Sequence, residues 1–160
     1  MTSHPVQPDA RRSTLTGGAL GIALMAAVDE IVFHQLLGWH HFYDRSTSQV
    51  GLLSDGLLHA AELVLLVASG FLIADLARRR TLHRRSLAGG TLVGAGVFQL
   101  FDGLVNHKVL GLHQVRYGVD LLPYDLAWNI AGALLVLVGA LVLLSARRRR
   151  ATTRRAAPAP

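Results

Sequence analysis

Four apolar stretches dominate the chain, at residues 14–37, 52–77, 87–110 and 119–146. Crossing the roughly 30 Å hydrocarbon layer of a bilayer takes about 20 residues as helix, and each stretch is that long. The separators are different in kind: residues 38–49 are polar and aromatic, 78–85 are basic, and 111–118 are short and polar. Backbone polar groups in lipid must be satisfied within the segment, which favours helices, and the alternating ten-residue pattern of a membrane β-barrel is absent. The pattern predicts an all-α, integral membrane four-helix bundle.

A gapless internal repeat organises it. A shift of 73 residues aligns Arg11, Arg12, Ser13, Gly17 and Gly21 with Arg84, Arg85, Ser86, Gly90 and Gly94. The same shift aligns Asp29, Val32, His34, Leu37, Gly38 and His40 with Asp102, Val105, His107, Leu110, Gly111 and His113, so both halves read D-x-x-V-x-H-x-x-L-G-x-H. The second helices match more loosely, through Asp55 and Asp125 at a shift of 70. Two helices per repeat keep both halves in the same orientation, which predicts a pseudo-two-fold axis along the membrane normal. The expected organisation is a disordered lead (1–13), a first two-helix repeat (14–77), a basic loop (78–86), a second repeat (87–146) and a disordered basic tail (147–160).

Composition agrees with a lipid environment. Hydrophobic residues make up 51% of the 160 residues, above the usual content of a soluble domain. The calculated pI near 11 comes from arginines bunched between apolar stretches, which marks membrane flanks and not a nucleic-acid surface. Of the 16 Lys and Arg residues, 13 lie before the first stretch, between the second and third, or after the fourth. The positive-inside rule makes that side cytoplasmic, with both termini there. The expected location is the plasma membrane, with the lipid bilayer and a membrane-protein partner as surroundings. The first stretch is too long, and lacks a cleavage site, for a removable signal peptide.

Candidate chemistry lies at the other end. Cysteine is absent, so disulfides, thiolate ligands and thiol nucleophiles are excluded. Eight of the ten acidic residues and six of the eight histidines fall in the outer helix halves or outer loops. Counted from the arginines, Asp29, Glu62, Asp102 and Asn129 reach one depth inside the hydrocarbon, with His34, His107, Asp55, Asp125 and His59 near its boundary. Carboxylates there face the bundle interior, paired or ligated. Asp55, His59 and Glu62 lie on one helical face, and His59 with Glu62 resembles, in reversed order, the Glu-x-x-His pair of four-helix metal sites. On an α-helix, Asp29 and His34, like Asp102 and His107, stand about 140° apart, so one helix need not present both to a single ion.

The candidate metal ligands are Asp29, His34, Asp55, His59, Glu62, Asp102, His107 and Asp125, with His59 and Glu62 closest to the ion and His41 of little weight. An imidazole and carboxylate set suits Cu(II), Zn or Fe. A haem between His34 and His107 is a further arrangement the repeat permits. The competing readings are a structural or assembly subunit whose polar groups bond across helices, and a membrane-embedded metal-dependent enzyme.

The stretches VDEIVFHQLLGWHHFYD (28–44), SDGLLHAAE (54–62), FDGLVNHKVLGLHQVR (101–116) and YDLAWN (124–129) resemble an uncharacterised family of bacterial membrane proteins over residues 14–146. The resemblance implies the four-helix topology and no reaction. Members of that family are often genomic neighbours of a membrane factor that assembles the copper centre of cytochrome oxidase, which implies copper among the metals and a role in metal handling or oxidase assembly.

Overall fold

The computed structural model describes residues 7–156, with side chains to 152. Helix α1 (Ala10–Val28) runs directly into a π-helical segment (Asp29–Leu36), and α3 (Arg84–Phe101) runs into a second one (Asp102–Val109). Helices α2 (Ser48–Arg78) and α4 (Leu121–Ala156) are continuous. All four are long and apolar enough to cross a membrane. Residues 1–6 of the expected lead lie outside the described residues, as do residues 157–160 of the tail, and α1 already takes in the lead from Ala10. Where sequence suggested a stop at residue 146, α4 continues to Ala156; the Arg- and Ala-rich run has high helix propensity.

Three helices start on side-chain caps. Asp9 accepts from the Arg12 N–H, Thr47 from that of Val50, and the His83 ring from that of Ser86. At this arginine-rich end the Asp9 N–H donates to the Thr81 carbonyl at 2.8 Å, and the His83 N–H donates to Ser13 Oγ at 2.9 Å. The start of α1 is thereby tied to the α2–α3 turn. Asp75 gathers Arg12, Arg78 and Arg79 at 2.8–3.0 Å.

Helices α1 and α3 lie side by side at the centre, with α2 against α1 and α4 against α3. The central pair meets backbone to backbone. A Cβ at Gly17 would overlap the Leu87 carbonyl, and one at Gly90 the Thr14 carbonyl; likewise Gly21 faces the Thr91 carbonyl and Gly94 that of Gly18. These contacts are reciprocal, since 14 and 87, like 18 and 91, are also 73 apart. Small residues permit this approach, on which packing in lipid depends. Gly21→Val and Gly94→Val are therefore expected to cost similar and large amounts of thermal stability in detergent, above the roughly 1–3 kcal/mol of ordinary overpacking. Gly56→Ala, where nothing lies within 4 Å, should stabilise by about 0.5–1 kcal/mol.

The distribution of side chains is inverted relative to a water-soluble bundle. Asp29, Glu30, Asp55, Asp102 and His107 are at most 2% exposed, whereas Leu15, Leu36, Val64, Phe71 and Val109 are more than 60% exposed. An apolar solvent suits both facts.

Candidate metal centre

The centre begins with the two π segments. Their ends are closed by bonds from the Leu37 N–H to the Val32 carbonyl (2.9 Å) and from Leu110 to Val105 (2.8 Å), five residues back. Gly38 and Gly111 then turn the chain in the left-handed region, at φ 57° and 56°, where glycine is unstrained. In this wider helix, residues five apart come round to nearly the same face. The α-helical expectation that separated Asp29 from His34 is thus overturned. His34 Nε2 lies 3.7 Å from Asp29 Oδ2, and His107 Nε2 lies 2.9 Å from Asp102 Oδ2.

The loops after the π segments fold back across the bundle and exchange bonds. His40 Nδ1 donates to the Val115 carbonyl at 2.9 Å, and His113 Nδ1 donates to the Phe42 carbonyl at 2.8 Å. Their rings stack at 4.5 Å and 5°. His34 meets His40 edge-on at 4.5 Å, and His107 meets His113 in the same way at 4.6 Å. Four imidazoles thus form one buried cluster.

A carbonyl only accepts, so His40 and His113 each carry a proton on Nδ1, which makes Nε2 the atom each ring has for a ligand. Metal-bound histidines are commonly held this way, with the second nitrogen donating to a backbone carbonyl. His40 Nε2 has no partner. His107 Nε2 lies 3.0 Å from His113 Nε2 as well as 2.9 Å from Asp102 Oδ2; a proton there serves one of them, a cation serves all. Burial, reinforced by the His113, His34 and His107 rings, pushes the His40 imidazole down to about 2, which keeps it neutral at physiological pH. Ligand atoms within 4.8 Å of one another occur in three groups: His40, His107 and His113; Asp29, His34 and His40; and Glu30, His34 and Asp55.

The halves differ around this core. Asp55 Oδ1 accepts from the Phe42 N–H at 2.7 Å, and its Oδ2 accepts from His41 Nδ1 at 2.6 Å. Its loose counterpart, Asp125, pairs with Lys108. Gly103 stands where the first half has Glu30, and the Asn106 amide donates to Asp102 Oδ1 at 2.9 Å. Trp128 packs beside His107 and Phe33 and exchanges two bonds with the Gln99 backbone and side chain.

Of the eight residues singled out by sequence, Asp29, His34, Asp55, Asp102 and His107 come together here. Asp102 stands outside the three groups but approaches His107 at 2.9 Å and His113 at 3.5 Å, whereas His59, Glu62 and Asp125 stand outside them altogether. His59 Nδ1 donates to Glu62 Oε1 at 2.7 Å with its ring 45% exposed, and the Lys108 ammonium occupies Asp125. Glu30, His40 and His113 were not among the eight, although the repeated motif contains both histidines. His41, given little weight, supports Asp55.

No curated protein and no solved structure matches the chain. A family profile does match, over residues 16–146. The chain therefore belongs to the family described as "Predicted membrane protein (DUF2243)".

Proposed function

We propose that this protein binds a transition-metal ion in the bacterial plasma membrane, through His34, His40, His107 and His113 with Asp29 and Asp102, on the extracytoplasmic side. The observation that carries the reading is the pair of carbonyl bonds that orient His40 and His113 and leave their Nε2 atoms for a ligand. A purely structural hydrogen-bond network would not leave His40 Nε2 buried without a hydrogen-bond partner. The donor set of imidazoles and carboxylates suits Cu(II), Zn(II) or Fe(II); such binding would serve a role in metal handling, and the family resemblance points that role toward oxidase assembly. Elemental analysis of detergent-purified protein after exposure to each metal tests it. Stoichiometric retention is expected, and protein that retains none of the three metals would refute it.

The two halves are, in this reading, tandem repeats about an axis along the membrane normal. The reciprocal glycine contacts, the π segments 73 residues apart and the exchanged carbonyl bonds support that arrangement; each half supplies to the other what it receives, as a two-fold contact requires.

The arginine distribution supports cytoplasmic termini. Reporter fusions after Ser48 and Val115 are expected to report the external side, and fusions after His83 and Thr152 the cytoplasm; a cytoplasmic signal at Ser48 contradicts the orientation.

A further inference from the structure

We propose a second cation site formed by Glu30, His34 and Asp55, with the His34 imidazole bridging it to the four-histidine centre. The inference rests on the metal-binding reading of that centre. His34 Nδ1 lies 2.8 Å from Glu30 Oε2 and 3.2 Å from Asp55 Oδ1, while its Nε2 faces Asp29 Oδ2 at 3.7 Å. Each nitrogen therefore points into a different group of candidate ligands. Both nitrogens and Glu30 Oε2 are fully buried, and the short approaches to the two nitrogens come from carboxylate oxygens. A proton on Nδ1 points at one oxygen at a time, whereas a cation there is shared by Glu30 and Asp55.

Charge points the same way. Asp29, Glu30 and Asp55 surround one imidazole, and among the described residues their salt bridges run to His34 and His41, none to Lys or Arg. Undercompensated carboxylates in an apolar surrounding are costly, and the His34 and His41 rings, even both protonated, supply two positive charges against three. A divalent cation between Glu30, His34 and Asp55 offsets more.

The two sites differ in chemistry. The first is rich in imidazole, which suits Cu(II) or Zn(II); the second has two carboxylates and one imidazole, which suits Zn(II), Fe(II) or Mn(II). The second half of the chain lacks an equivalent, because Gly103 replaces Glu30 and Lys108 holds Asp125. Two ions per chain follow, not three. Bound on both nitrogens, His34 is an imidazolate, and its ring proton passes to solvent as the second ion enters.

The test is a metal titration of the full chain in detergent, with bound Zn(II) counted after gel filtration, beside Glu30→Gln. Two ions in wild type and one in E30Q support the bridged pair. One ion in both proteins overturns the second site and leaves the first standing. Two ions in both also overturns it, because Glu30 would then be no ligand. No ion in wild type removes the metal-binding reading itself. Should E30Q fail to fold, copper-loaded wild type decides: an imidazolate bridge couples two Cu(II) spins and suppresses the isolated Cu(II) resonance, whereas an unattenuated spectrum of isolated Cu(II) overturns the bridge.

Discussion

His40→Ala and His113→Ala are each expected to lower transition-metal affinity by at least about 100-fold, and by similar factors. Losing even a residue that only orients a ligand typically costs about 10–100-fold, and here the ligand itself would go. The similarity follows from geometry: each ring donates from Nδ1 to a carbonyl of the opposite loop, at 2.9 and 2.8 Å, and each stacks on the other. His59→Ala is the informative comparison, because that ring is half exposed and bonded to Glu62; it should keep the four-histidine metal. Affinity is measured by competition with a chelator of known strength. Full retention in H40A with loss in H59A would return the site to the His59 and Glu62 pair that the spacing on α2 singles out.

How much of this was legible beforehand depends on which physical rule each residue obeys. The four helices follow from run length, because lipid leaves the backbone few alternatives. The 73-residue repeat pairs Gly17 with Gly90 and Gly21 with Gly94, and their small size suits the close approach that the structure shows. Asp29 and Asp102 read as interior because a carboxylate at that depth has nowhere else to go. The π segments were not legible: a 3.6-residue period puts Asp29 and His34 on different faces, and the sequence carries no local mark of the wider turn except the glycines that end it. His40 and His113 were visible in the motif, yet their positions depend on loops folding back across the bundle, a long-range event that helix periodicity does not describe. The spacing on α2 groups Asp55, His59 and Glu62 on one face, but Asp55 meets His34 at 3.2 Å while the His59 ring is 45% exposed and bonded to Glu62.

Asp55→Ala is expected to destabilise the protein by roughly 3 kcal/mol and to remove metal from the four-histidine centre, although Asp55 does not touch His113. The connection runs directly, through His34 Nδ1 at 3.2 Å, and through the loop. Asp55 is 1% exposed and also holds the Phe42 N–H and the part-exposed His41 ring; deleting the carboxylate takes a partner from Phe42, His41 and the buried His34 ring, at about 1–3 kcal/mol for each group left buried and unpaired. Phe42 in turn presents the carbonyl that orients His113, so a loop freed from Asp55 releases that imidazole from its tautomer and its position. Asp125→Ala has a smaller consequence, because Asp125, 17% exposed, pairs with the Lys108 ammonium, whose side chain is 39% exposed; a partly exposed pair of this kind contributes about 1 kcal/mol. The two substitutions, matched by the repeat, should therefore differ sharply in both melting temperature and metal content. Thermal unfolding in detergent and elemental analysis of the same samples give the two readouts. Equal effects would mean that the α2 and α4 carboxylates play equivalent parts and that the coupling through Phe42 does not operate.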